Sequence, residues 1–276
     1  MDKIGLIAGN GSFPLLFARE ARAKGYEVVA VAHKGETREE IDGEADSVTW
    51  VRVGQLGRTI RAFKRQGVTR AVMAGGINKV RTIASVRPDW RGLRFLGTAV
   101  RRGDDALLRK LASEFESEGV EIVPSTLFLE RIIAGRGLLA GPRPSAAALT
   151  DVKLGCRVLG ALGRLDVGQG VVVEKGVVLA VEAIEGTDAA IRRGCDMATG
   201  PAVVVKIAKV DQDMRFDVPA IGPGTLRTMA DCGAGTLAVE AGSTIILEEE
   251  GLAEIAESHG ISVVGCDRHG DIADAG

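Results

Sequence analysis

The sequence predicts an α/β protein, with a Rossmann-like, parallel-sheet first domain and a second, mixed α/β domain. Three observations carry this reading. Residues 4–8 are a short apolar run that passes directly into the glycine loop Gly9-Asn10-Gly11-Ser12. Strand-like and helix-like segments then alternate as far as residue 123, the pattern of a parallel sheet covered on both faces. A stretch rich in glycine and proline at 134–144 breaks the periodicity before it restarts. A length of 276 residues fits two domains, and the expected division is 1–133, a linker at 134–144, and 145–276.

In the first domain a helix is expected from Pro14, because proline suits a first helical turn. Residues 27–32 and 48–53 read as buried strands. Leu56, Ile60 and Phe63 fall at i, i+4 and i+7, one face of a helix. Residues 70–74 form another strand that ends in Gly75-Gly76, and Leu107, Leu108, Leu111 and Phe115 mark a further helix before a strand at 120–123. In the second domain a helix is expected over 146–162. A hairpin follows, with strands 171–174 and 177–182 joined by Lys175-Gly176, since a two-residue turn ending in glycine between β-branched runs is a hairpin signal. Strands at 202–207, 236–239, 244–247 and 261–264 and a helix at 252–259 complete the pattern.

Composition removes several function classes. Thirty-five basic and 37 acidic residues give a net charge of −2, which lacks the basic field of a nucleic-acid binder. No apolar run reaches the roughly 18–20 residues of a membrane span, and the first residues have no signal-peptide pattern, so a cytoplasmic protein is expected. The four cysteines, Cys156, Cys195, Cys232 and Cys266, are far apart in sequence and read as reduced, buried thiols. Three histidines offer no H-E-x-x-H motif, and no G-x-S-x-G elbow supports a serine nucleophile. Chemistry is left to carboxylates, backbone amides and a hard metal ion.

The candidate binding residues follow from this. Gly9, Asn10, Gly11 and Ser12 lie between a strand and a helix, where backbone N–H groups and a helix N-terminus can meet a phosphate; a tight turn without ligand is the alternative. A dinucleotide fingerprint would want a small residue where Pro14 stands and an acidic residue where the second strand ends in Ala32-His33-Lys34. Gly75 closes a later strand on the same expected sheet edge. Asp104 and Asp105 open a helix, where one carboxylate suffices as a cap and the second is available to a metal or a ribose. Gln169 and Glu185 sit in glycine-bracketed turns, and Thr187 and Asp188 cap a short helix or face a ligand. Lys206 and Arg215 suit phosphate oxygens. Alternation over 215–218 places Arg215 and Asp217 on one face of an extended segment, either as a surface ion pair or as a phosphate contact beside a carboxylate that activates water or holds a divalent cation.

Five ordered motifs now stand out: Gly5-Leu6-Ile7-Ala8-Gly9, Arg102-Gly103-Asp104-Asp105-Ala106-Leu107-Leu108-Arg109, the run from Gly163 to Gly170, the run from Val178 to Asp188, and Arg215-Phe216-Asp217-Val218-Pro219-Ala220-Ile221-Gly222. Together they resemble the UDP-2,3-diacylglucosamine pyrophosphatases of lipid A biosynthesis, the type unrelated to calcineurin-like metallophosphoesterases. The resemblance covers nearly the whole chain. It implies hydrolysis of UDP-2,3-diacylglucosamine to UMP and 2,3-diacylglucosamine 1-phosphate (lipid X), Mg²⁺ dependence, and two domains that close on a lipid-bearing nucleotide. It also implies that the aspartate of the R-x-D-x-P motif, here Asp217, is the one whose loss abolishes activity. A lipid substrate leads to the expectation of peripheral contact with the inner-membrane surface, and a homodimer is left open. Two other classes compete with this reading: a nucleotide-dependent oxidoreductase, drawn from the first domain alone, and a non-catalytic nucleotide or lipid sensor.

Overall fold

The computed structural model describes residues 1–77, 88–99, 104–165, 167–209, 213, 215 and 218–272, with the side chains of 96–99 and 104–106 outside the description. The chain divides into two compact units, Met1–Glu130 with Asp213–Asp217, and Arg131–Gln212 with Val218–Gly276.

The first unit is built on five parallel strands: β1 (Lys3–Ala8), β2 (Glu27–His33), β3 (Ser47–Val51), β4 (Arg70–Ala74) and β5 (Glu121–Ile122). Their order is β3-β2-β1-β4-β5. From β1 the chain builds outward through β2 and β3, then returns to lay β4 on the other flank of β1. Ligands of open α/β sheets bind outside the strand ends at such a reversal. Helices α1 (Phe13–Ala23), α2 (Ile41–Glu44), α3 (Leu56–Arg65), α4 (Trp90–Ala99) and α5 (Asp104–Glu116) belong to this unit. Phe63 of α3 and Phe115 of α5 meet at 6.2 Å between ring centres, within a buried cluster that includes Val29, Val31, Ala71 and Ile122 of the sheet.

The second unit holds a six-stranded mixed sheet in the order β6-β13-β11-β9-β7-β8. Its strands are β6 (Gly137–Ala140), β7 (Gly170–Glu174), β8 (Val177–Val181), β9 (Val203–Lys206), β11 (Thr236–Glu240) and β13 (Ser262–Cys266). Strands β9, β11 and β13 run parallel, and β6, β7 and β8 are antiparallel to their neighbours. Alternate residues serve two cores. Val172, Val204, Leu237 and Val263 face helices α7 (Thr187–Cys195), α8 (Pro223–Cys232) and α9 (Glu249–His259). Val171, Val205, Ala238 and Val264 face α6 (Ala146–Leu162). That helix has the span expected from the sequence, and Ser145 caps it by accepting from the Ala148 amide at 3.1 Å. The hairpin also forms as expected. Lys175 (φ 48°) and Gly176 (φ 78°) make its turn, and both turn amides donate to the buried Asp151 carboxylate, at 2.8 and 2.7 Å.

Some expectations need correcting. Residues 134–144 are not a simple linker, because Gly137–Ala140 is the edge strand β6, paired with β13. One glycine of this stretch reflects crowding: a Cβ on Gly141 (φ +72°) would lie 2.0 Å from the Ile261 carbonyl oxygen. The strand expected at 244–247 is the two-residue β12 (Ile245–Ile246), which pairs in parallel with β10 (Ala220–Ile221) in a separate small sheet.

Candidate functional site

In the first unit, the loop after β1 and the turn after β4 come together at the sheet reversal. The Gly9 amide donates to the Ala74 carbonyl and the Asn10 amide to the Gly76 carbonyl, each at 2.8 Å. A Cβ on Gly9 would stand 2.3 Å from the Gly76 oxygen, and one on Gly75 (φ +80°) would stand 2.3 Å from the Asn10 oxygen. These two glycines therefore let one loop lie against the other, and two of the amides expected to face a phosphate are already used. What remains open is the later part of the loop. Gly11 (φ +84°) has no neighbour within 4 Å of a Cβ position, and Ser12, the N-cap of α1, makes no side-chain cap hydrogen bond.

The end of β2 closes the same edge. His33 Nδ1 and the Thr37 hydroxyl both bond the Ala8 carbonyl, at 2.9 and 2.6 Å, so Nδ1 carries the proton. Burial holds this imidazole below its ordinary pKa, against the opposing effects of the Ala8 bond and Glu36. A buried histidine turned toward β1 stands where a dinucleotide fold needs an acidic residue for the ribose, which counts against the oxidoreductase reading. Asn10 Nδ2 donates to Glu36 at 3.2 Å.

Arg215 belongs to this unit as well. It lies in a turn rather than in the extended segment expected, and its Nε and Nη2 donate to Asp213 at 3.0 and 2.8 Å while Nη1 donates to Glu116 of α5 at 3.2 Å. The guanidinium holds the Asp213 carboxyl below its usual range. Asp104 and Asp105 open α5, with side chains outside the described residues, and Asp217 itself lies outside them.

In the second unit, the candidates gather where parallel strands β9, β11 and β13 end and β7 begins. Gly170 is in register with Lys206, Lys206 lies one residue beyond Val205 on the strand paired to β11, and Glu240 is paired with Cys266. The Gln169 carbonyl accepts from the Ile207 amide at 3.0 Å. Lys206 is only 7% exposed, and its ammonium donates to the Ala220 carbonyl at 2.9 Å, at the start of β10. Ala220 follows the R-x-D-x-P motif directly, so this lysine fixes the backbone at the motif's end.

Two acidic residues at this edge escaped the sequence reading. Glu240, 5% exposed, accepts from the Ala208 amide at 2.9 Å and from Arg268 at 2.6 Å. Glu182, 8% exposed, accepts from the Thr187 hydroxyl at 2.9 Å through Oε1, while its Oε2 is buried without a hydrogen-bond partner. Two glycines seat it. A Cβ on Gly168 (φ +50°) would fall 1.9 Å from the Glu182 carbonyl oxygen, and one on Gly170 would fall 2.7 Å from Oε2. A native fold that leaves a buried carboxylate oxygen unpaired forgoes stability, which is a mark of functional sites. The signal for it was the glycine on each side of Gln169, attributed to the glutamine rather than to what approaches the backbone.

Of the remaining candidates, Thr187 and Glu185 have local partners. Thr187 and Asp188 occupy the first turn of α7, after Gly186 (φ +86°). Glu185 pairs with Arg193, which also donates to the Val181 carbonyl at 2.8 Å, and the Glu185 carboxyl is held low by its own backbone amide and by Arg193.

Residues 3–132 match the N-terminal domain of the LpxI family and residues 135–264 its C-terminal domain. The chain belongs to the LpxI family. A relative in that family, the UDP-2,3-diacylglucosamine pyrophosphatase LpxI of Caulobacter vibrioides, is 34% identical over 97% of this chain and 98% of its own length. Among solved structures, CobK precorrin-6A reductase aligns at 12% identity over 97% of this chain and 88% of that one, with a TM-score of 0.31. The biotin carboxylase domain of the Hydrogenobacter thermophilus 2-oxoglutarate carboxylase aligns at 14% identity over 71% of this chain and 41% of that one, with a TM-score of 0.28. At these scores neither bears on what the LpxI family does.

The Mg²⁺ that the resemblance implies can be set against these donors. Among the described residues, no three His, Cys, Asp or Glu side chains converge as metal ligands. Glu240 is taken by Ala208 and Arg268, Asp213 by Arg215, and Glu185 by Arg193.

Proposed function

We propose that this chain hydrolyses the pyrophosphate bond of UDP-2,3-diacylglucosamine, releasing UMP and 2,3-diacylglucosamine 1-phosphate, the lipid X of lipid A biosynthesis. The observation that carries the reading is the end-to-end similarity to a relative bearing that activity in its name, 34% identical across both domains. Two sheet edges, one in each unit, support it. One offers the open Gly11-Ser12 start of an eleven-residue helix, suited to phosphate oxygens. The other carries buried Lys206 and the unpaired Glu182 oxygen, suited to a polar headgroup with hydrogen-bond donors. Asp217 is the proposed catalytic carboxylate; near it in sequence, Arg215 is held by Asp213 and Glu116, and Ala220 by Lys206. Mg²⁺ dependence belongs to the same reading and rests on the family resemblance.

Peripheral contact with a lipid surface is proposed from the diacyl substrate; no helix among the described residues is long and apolar enough to cross a membrane. The test is incubation of the purified protein with UDP-2,3-diacylglucosamine, in ¹⁸O-labelled water, with products read by mass spectrometry. UMP and the lipid 1-phosphate should appear in equal amounts, one of them labelled. EDTA should stop turnover and added Mg²⁺ should restore it. Binding without cleavage, in the presence of Mg²⁺, would favour the sensor reading instead.

A further inference from the structure

The four cysteines, scattered in sequence, are two pairs in space. Cys156 and Cys266 lie 3.9 Å apart between α6 and β13, both wholly buried. Cys195 and Cys232 are closer, with sulfurs 2.8 Å apart, and each is the last residue of its helix, α7 and α8. Cys232 is partly exposed, whereas Cys195 is buried.

We propose that Cys195 and Cys232 are an oxidation site, a dithiol that closes to a disulfide when it meets a peroxide. Their placement is held by contacts one turn away. Arg192 of α7 donates to Thr228 of α8 at 3.3 Å and lies 3.7 Å from Asp231, so the two helices stay side by side in the register that faces one thiol with the other. On the sheet side, α7 is seated where Gly194 meets Val172, with a Cβ position only 2.6 Å from the valine. A disulfide needs about 2.05 Å between sulfurs, a contraction of less than an ångström at two helix ends, where the backbone yields most readily.

The chemistry divides by exposure. Burial, reinforced by the neighbouring thiol, pushes Cys195 up to about 12, so the exposed partner is the one a peroxide reaches first. The Cys232 sulfur attacks hydrogen peroxide, giving a sulfenic acid and one water. The Cys195 sulfur then attacks the Cys232 sulfur, forming the S–S bond and releasing the sulfenic oxygen as a second water. The two thiols lose two electrons and two protons in all, and peroxide is reduced to water. The bond fastens the far end of the helix whose first turn holds Glu182. Cys156 and Cys266, with no exposed partner, are the internal control.

The experiment treats the reduced full-length protein with hydrogen peroxide, then counts thiols under denaturing conditions and maps cross-linked peptides by mass spectrometry. Thiols should fall from four to two, the mass should drop by two hydrogens, one peptide pair should contain Cys195 and Cys232, and dithiothreitol should reverse all three. A Cys195→Ala variant should instead retain an adduct on Cys232, without cross-link. Four surviving thiols, a cross-link through Cys156 or Cys266, or overoxidation of Cys232 without a disulfide would each overturn the proposal. None of these readouts depends on the hydrolase activity.

Discussion

Gly9 shows how packing alone can demand a glycine in a loop of phosphate-binding type. The sequence places it in a phosphate-type loop, but its missing side chain serves the neighbouring turn, since a Cβ would meet backbone atoms of Gly75 and Gly76 at 2.7 and 2.3 Å. Backbone atoms cannot swing aside as a side-chain tip can. Gly9→Ala is therefore expected to lower stability by about 1–3 kcal/mol, the usual cost of overpacking, as read by chemical denaturation. An unchanged midpoint would mean that the glycine is there only for a ligand. His33 supplies a second test at this scale. Its folded-state pKa lies below the ordinary 6.5, so between those two values the unfolded chain binds more protons than the folded one. Stability contributed by the neutral ring is thus complete above pH 6.5 and lost as pH falls toward the folded value. The melting temperature should drop between pH 7 and pH 5, and His33→Gln should flatten that part of the profile. Such features were not legible in the sequence because burial and through-space partners decide them: nothing in Glu182 as a letter says that one of its oxygens is orphaned.

At the scale of elements, legibility tracked local signals. Helix α6 was read to the residue because apolar spacing, a serine cap and a following glycine all agree. Helix α8, absent from the sequence expectations, carries comparable marks, Pro223 in its first turn and Gly233 in the left-handed region beyond its end. The strand β6 was hidden because Gly135 and Gly137 look like a linker, although Gly137 (φ 110°) already pairs with Gly265 of β13. Glycines inside helices make the same point from the other side. A Cβ on Gly155 of α6 would stand 2.5 Å from a Val205 methyl and 3.2 Å from one on Val171, both in the buried core. Alanine gains about 1 kcal/mol over glycine in helix propensity, while overpacking costs about 1–3 kcal/mol, so packing wins. Gly155→Ala should be destabilised in thermal melts despite its better helix former, and a rise in melting temperature would show that α6 can move off the sheet.

For the whole molecule, the α/β class and the family were legible because they rest on order: five motifs in sequence, and a strand–helix alternation that restarts once. The arrangement of charges at the sheet edges was not, since it depends on strands far apart in the chain, β7 with β9 and β11 with β13, coming into register. The proposed function centres on one carboxylate, Asp217; of the described residues near it in sequence, Arg215 is pinned by Asp213 and Glu116, and Ala220 by Lys206. In phosphoryl chemistry, positioning and charge stabilisation supply most of the rate. The most direct measurement is turnover of UDP-2,3-diacylglucosamine by Asp217→Ala beside the parent protein, with melting temperature and substrate binding taken on the same preparations. The account predicts a loss of several orders of magnitude in turnover, with folding intact and binding kept. Near-normal turnover would contradict it.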